Sequence, residues 1–292
     1  MKRIDIATDG VLGVVFEPDS ANRGFVVVLT GSSGGVPEGA ARRLAEHGLT
    51  TFALGYFGAP GLQPALVDVP VELLQRGIAL FRDRFSGGRP VGILGWSKGA
   101  ELALTLAARS GDAVGPVVAV APSHVAWFGL EPFKPDRPSA DRRSTHSSWT
   151  HGGASVPFLP FFADVAPLFT RDGFRTDAFF DLPRYEPADV DAARIRVENA
   201  TGPLLLLSGD DDHMCPAAAM AGEIVKRMEE HGRAGDTTNV IYPSAGHVFL
   251  QREFMPASSD RIGPPFDFGG NIEADAAASR DAWPRIASFL GS

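Results

Sequence analysis

Short apolar runs alternate with helix-patterned segments along most of this chain, and that rhythm restricts its fold more than any other feature. Strands that recur with a helix between each pair lie parallel, because each crossover returns the chain to the same edge of the sheet. Phe25–Thr30 (FVVVLT) is apolar without a break, as expected of a strand covered on both faces. Further strands are predicted at Thr50–Leu54, Val91–Leu94, Pro116–Ala121, Pro203–Ser208 and Asn239–Tyr242. The intervening helices are predicted at Pro37–His47, closed by Gly48, at Val71–Phe85, entered through Pro70, and at the Ala- and Leu-rich Lys98–Arg109. Pro216–His231 and Ala276–Leu290 complete the set.

Between Ser123 and about Asn199 the rhythm breaks. Phe133–Gly153 is polar and rich in Pro, Ser, Arg and His, whereas Val156–Phe162 (VPFLPFF) is apolar and aromatic. A long aperiodic stretch inside a compact domain is commonly a lid. The expected organisation is therefore one α/β domain over residues 1–292, with a cap insertion at about 124–199.

Charge and cysteine usage exclude several roles. A net charge of -8 argues against a nucleic-acid partner, which needs a basic face to neutralise phosphates. The single cysteine, Cys215, has no internal disulfide partner, which suits a reducing compartment. No run approaches the roughly 20 apolar residues of a membrane span, and Met1–Gly10 lacks a signal-peptide core. The expectation is a soluble cytoplasmic protein acting on a small molecule.

Gly95-Trp96-Ser97-Lys98-Gly99 fits G-x-S-x-G, set between a predicted strand and a predicted helix. A sharp strand-to-helix turn would lift the Ser97 hydroxyl above the sheet edge, at a helix N-terminus that favours developing negative charge. This placement implies an α/β-hydrolase fold, with a mostly parallel central sheet and helices on both faces. A serine hydroxyl is a weak nucleophile alone and needs a base. Chain order in this fold is serine, acid, histidine, and His247 follows the last predicted strand in Tyr242–His247 (YPSAGH). His47 and His231 sit at helix ends, and His124, His146 and His151 fall in the cap.

The acid is expected after the preceding strand, in Ser208–His213 (SGDDDH). Asp212 leaves room for the loop to turn before Pro216, with Asp211 the alternative and Asp210 better suited to bracing the turn. A metal reading of this acidic run with His213 lacks a second ligand cluster. For the oxyanion, one backbone donor is expected at Lys98 and another in the small-residue turn Thr30–Gly35 (TGSSGG), at Ser32 or else Ser33.

These motifs resemble the catalytic domain of the acyl-CoA thioesterase and bile acid-CoA:amino acid N-acyltransferase family, itself similar to dienelactone hydrolases. Gly95–Leu104 (GWSKGAELAL), SGDDDH and YPSAGH carry the likeness, together with Gly31–Glu38, Leu54–Pro60 and Ser147–Pro160. The resemblance implies hydrolysis or transfer of an acyl group from a coenzyme A thioester through an acyl-enzyme, with Ser97 as nucleophile, Asp212 as acid and His247 as base; such a cycle requires no cofactor or metal. The larger eukaryotic relatives add an N-terminal β-sandwich domain that is not in this sequence. The amidating members use Cys where this chain has Ser97, which tilts the expectation towards hydrolysis. An oxygen ester or lactone substrate, transfer to an amine or alcohol, and a catalytically silent binding protein are the alternatives.

Other residues admit two readings. Lys98 and Glu101, three apart on one helix, are expected to form a surface ion pair. Lys134, Arg137, Arg142 and Arg143 are either a solvated loop or contacts for coenzyme A phosphates. Phe158, Phe161 and Phe162 either line an acyl pocket or pack the cap down, and Cys215 is read as a small buried side chain.

Overall fold

The computed structural model describes residues 1–132, 143–165, 168–169, 173–251 and 266–291. Eight strands form the central sheet: β1 Lys2–Thr8, β2 Val11–Glu17, β3 Phe25–Leu29, β4 Thr50–Gly55, β5 Val91–Trp96, β6 Val114–Val120, β7 Leu204–Gly209 and β8 Thr237–Tyr242. Their spatial order is β1-β2-β4-β3-β5-β6-β7-β8. From β4 to β8 every pairing is parallel, while β2 runs antiparallel to both β1 and β4. This is the α/β-hydrolase architecture expected from the strand and helix rhythm together with the placement of Gly95–Gly99.

Every residue of β3 is buried, and its alternate side chains enter two different cores. Phe25, Val27 and Leu29 join helices α2 (Val71–Phe81), α3 (Lys98–Arg109) and α4 (Ala217–Glu230). Val26 and Val28 join α1 (Glu38–Glu46) and α5 (Ile272–Leu290) on the other face. Two-sided cover is why β3 has no polar alternation, and each such side chain contributes about 1.5–3 kcal/mol of burial.

The structure differs from the sequence reading at several boundaries. The β1–β2 hairpin was not anticipated, although Asp9-Gly10 at its tip is a two-residue turn signal, with φ of 51° and 77°. The helix expected to run to Phe85 is α-helical only to Phe81 and closes through a wider turn over Arg82–Ser86. Helix α5 begins four residues earlier than its apolar periodicity suggests, because Asn271 caps it by accepting from the Ala274 N–H.

Chain order reverses beside β3: β4 lies on one side of it and β5 on the other. Loops leaving β3 and β5 at their carboxyl ends therefore diverge, and ligands of open α/β sheets bind at such switch points. Between β6 and β7 the chain leaves the main sheet and builds small two-stranded elements, a three-stranded one completed by Val69–Pro70, short helical turns and the helix Pro187–Ala193. These enclose a separate apolar cluster around Trp127, Phe128, Leu159, Phe174 and Phe179. Among the described residues no helix is long and apolar enough to cross a membrane.

Candidate active site

Ser97 stands between β5 and α3 with φ 54° and ψ −124°, a conformation that costs an ordinary L-residue free energy. Neighbours hold it there. Its N–H donates to Val120 O at 2.8 Å, and its carbonyl accepts from the N–H groups of Ala100 and Glu101. The flanking glycines are sterically required. A Cβ on Gly95 would lie 2.1 Å from Gly99 O, and one on Gly99 would lie 2.2 Å from Thr30 O. G-x-S-x-G is thus a packing constraint that lets β5, α3 and the chain after β3 touch.

The turn after β3 lies against this elbow. A Cβ on Gly31 would come within 3.2 Å of Ser97 Cβ, and the Gly34 N–H closes the Ser32-Ser33 turn by donating to Gly31 O at 3.2 Å. Buried Tyr56 donates its hydroxyl to Thr30 O at 2.6 Å, and the Gly35 N–H donates to Phe57 O at 2.9 Å. Ser32 is half-buried and Ser33 exposed. The Lys98 N–H heads α3, where a helix offers no internal acceptor.

The acid and histidine loops are stapled side by side. The Asp210 N–H donates to Tyr242 O and the Asp211 N–H to Ala245 O. The three aspartates then divide their work. Asp210 Oδ1 accepts from the Ser244 N–H, at a residue with φ 56°. Asp211 accepts from the Gly270 N–H and pairs with His213, whose other ring nitrogen lies 2.9 Å from Asp267. Asp212 Oδ2 meets His247 Nδ1 at 2.7 Å, while its Oδ1 accepts from the N–H groups of Met214 and Cys215. Those two N–H bonds fix the carboxylate's plane.

A segment that the sequence reading missed locks the two loops together. The Phe268 carbonyl accepts from the His247 N–H at 2.9 Å, and Gly269 bridges Asp212. Asp275, buried in the first turn of α5, accepts from the Gly246 N–H at 2.8 Å. Gly269 and Gly270 both take φ near 70° and approach neighbouring backbone too closely for a Cβ. That Gly-Gly pair ahead of a capping Asn271 was the available signal.

The Lys98–Glu101 expectation is corrected: the pair is buried, at 7% and 2% exposure. The spacing on α3 is as expected, but the chain beyond β6 covers that face. Lys98 Nζ reaches Glu101 at 3.0 Å, Ser148 Oγ at 2.8 Å and Trp127 O at 3.2 Å. Glu101 also accepts from Trp149 Nε1 at 2.6 Å and from the Trp127 N–H. Burial lowers the Lys98 pKa and raises that of Glu101, while each partner's charge counters the shift in the other.

The remaining expectations fall as follows. Lys134, Arg137 and Arg142 lie outside the described residues. Arg143 donates to the carbonyls of Phe162 and Val165 and lies over the rings of Phe161 and Phe179. Phe161 packs on Phe128 and Phe162 on Tyr185. Among the described residues Ser97 Oγ has no hydrogen-bond partner, His247 included. The structure joins acid to histidine and places the serine elbow at the same sheet edge.

Residues 70–292 match the family described as BAAT / Acyl-CoA thioester hydrolase C terminal. The chain belongs to that family. Within this acyl-CoA thioester hydrolase family it is similar to acyl-coenzyme A thioesterase 6 of Mus musculus, 28% identical over 300 residues and 99% of this chain. It is likewise similar to acyl-coenzyme A amino acid N-acyltransferase 2 of Mus musculus, 26% identical over 99% of this chain. The chain spans 65% of the length of each of these relatives. In fold it matches a putative dienelactone hydrolase from Klebsiella pneumoniae, with a TM-score of 0.55, 16% identity, and 100% of this chain and 98% of that one covered.

Proposed function

We propose that the protein hydrolyses acyl-CoA thioesters through an acyl-serine intermediate. The observation that carries this reading is the 2.7 Å Asp212–His247 contact, which lies at the sheet edge where Ser97 occupies its constrained elbow. Family membership supports an acyl-CoA thioester as the substrate class.

In this reading Asp212 holds His247 with Nδ1 protonated, leaving the Nε2 lone pair for the serine proton. Ser97 Oγ attacks the thioester carbonyl, its proton passes to Nε2, and the new oxyanion rests on the backbone N–H groups of Lys98 and Ser32. The carbon–sulfur bond then breaks, and the departing coenzyme A thiol takes the proton from Nε2. Water attacks the acyl-serine with His247 as base, and Ser97 leaves with its proton restored. Every proton transfer uses a group of this chain or water. Substrate binding tightens the Ser97–His247 approach, as catalytic hydrogen bonds often shorten only in the Michaelis complex. The residues between about 124 and 199 act as the cap over this edge, with the Lys98–Glu101 cluster as their anchor, in a protein suited to the reducing cytoplasm.

A second reading, transfer of the acyl group to an amino acid, is favoured by the likeness to an amino acid N-acyltransferase. Ser97 in place of cysteine favours water as acceptor. The test is a panel of acyl-CoAs against oxygen esters of the same acyl chains, with and without an amino acid acceptor, using Ser97→Ala as control. Free acid formed fastest from the thioesters supports hydrolysis. Amide product supports transfer, and oxygen-ester preference defeats both.

A further inference from the structure

Asp212, Cys215 and His247 bring three kinds of donor atom together beside the acid loop. Among the described residues they are the one group of three or more His, Cys, Asp or Glu side chains whose donor atoms all lie within 4.8 Å of one another. Cys215 Sγ is 3.8 Å from Asp212 Oδ2 and 3.9 Å from His247 Nδ1, and those two atoms are 2.7 Å apart. A tetrahedral zinc ion with bonds of about 2.0 to 2.3 Å has donor-to-donor edges of about 3.3 to 3.6 Å. The sulfur edges need to close by a few tenths of an ångström and the nitrogen–oxygen edge to open by about half an ångström. Asp212 Oδ1 stays with its two backbone N–H donors while Oδ2 turns to a cation. One sulfur, one imidazole nitrogen and one carboxylate oxygen suit zinc or cadmium and disfavour magnesium or calcium.

We propose that Asp212 Oδ2, Cys215 Sγ and His247 Nδ1 form a site for a thiophilic divalent cation, and that filling it switches the protein off. The binding half stands on geometry alone; the switching half rests on His247 being the base proposed above. On binding, Cys215 releases its thiol proton to solvent and gives the sulfur lone pair to the metal. His247 gives its Nδ1 lone pair, so its single ring proton moves to Nε2. One proton leaves per cation bound, no electrons change hands, and water fills the fourth position. A protonated Nε2 has no lone pair for the Ser97 proton, so the bound cation holds the imidazole in the wrong tautomer.

The test titrates the full chain with cadmium chloride and reads the ultraviolet thiolate-to-cadmium charge-transfer band. The band is expected to saturate at one equivalent in the unsubstituted protein and in Ser97→Ala, and to be absent in Cys215→Ala, with Cys215→Ser as a size-matched second variant. In parallel, fluorophosphonate labelling of Ser97 gives a substrate-independent rate, each variant normalised to its own metal-free value. Cadmium or zinc slows labelling at least about tenfold in the unsubstituted protein, EDTA restores it, and Cys215→Ala needs at least about tenfold more metal. A missing band, or an equal band in Cys215→Ala, overturns the site. A full band with unchanged labelling overturns the switch. Absent labelling without metal defeats the proposed function, while the band still decides the site.

Discussion

Asp212 and His247, 35 residues apart in the chain, meet through a carboxylate oxygen and Nδ1 at 2.7 Å. The contact fixes which ring nitrogen faces the carboxylate, and in the proposed mechanism it leaves Nε2 for Ser97. Asp212→Asn keeps the shape and removes the charge, so the imidazole is no longer held in the productive tautomer. Acyl-CoA turnover is expected to fall by about 10⁴-fold with the fold retained. Steady-state kinetics alongside circular dichroism check this, and a loss below tenfold would contradict it.

Strain at Ser97 separates stability from activity. At φ 54° and ψ −124° a glycine sits without penalty, whereas alanine keeps the Cβ that makes the position costly. Ser97→Gly is expected to unfold at higher denaturant than Ser97→Ala, by about 1 kcal/mol. Both should lose fluorophosphonate labelling. Equal stabilities would mean that the elbow is unstrained.

The Lys98–Glu101 pair should behave as a buried ion pair. Lys98→Met leaves Glu101 uncompensated and is expected to cost about 3–5 kcal/mol. Glu101 is already raised by burial, and without Lys98 the folded state favours its protonated form more strongly. The folded variant then binds a proton that the unfolded chain has released, so its stability falls as pH rises above the ordinary carboxylate range. Urea unfolding of Lys98→Met at pH 5 and pH 8 tests the sign; greater stability at pH 8 would refute it.

This cluster also marks where the sequence stops being legible. The strand rhythm, the turn at Ser97 and the meeting of Asp212 with His247 were readable because each depends on local patterning and on chain order along the sheet edge. The surroundings of Lys98 depend on Trp127, Ser148 and Trp149, which reach α3 from 26 to 50 residues away with no periodic signature. A charged pair at helical spacing looks the same in a sequence whether water or an insertion lies over it. Asp275 was hidden for a similar reason: its acceptor role for the Gly246 N–H arises only when the end of the chain folds back over the histidine loop.

Asp275→Ala leaves that buried N–H without an acceptor, at an expected cost of about 1–3 kcal/mol. It also frees the backbone one residue before His247. A drop in turnover of about tenfold or more, with unchanged KM, is the outcome expected of a group that positions the base. Unchanged kinetics in a merely destabilised variant would assign Asp275 a structural role alone.

His124 gives the fold an acid-labile point. It is buried, at 3% exposure, its Nδ1 has no partner among the described residues, and burial together with Arg194 lowers its pKa from 6.5 to about 4. Between those values the unfolded chain binds the proton and the folded chain does not, so stability falls as pH drops from about 6.5 towards 4. The full effect is about 3 kcal/mol. Comparing unfolding free energies of the unsubstituted protein and His124→Gln at pH 7.5 and 4.5 isolates it; parallel losses would exclude His124.

The most direct measurement mixes enzyme and acyl-CoA, quenches in acid within one turnover, and weighs the peptide that carries residue 97. The account predicts an acyl ester on Ser97 that forms and decays at rates consistent with turnover, and none in Ser97→Ala. Turnover without that ester, or an acyl group trapped on another residue, would contradict it.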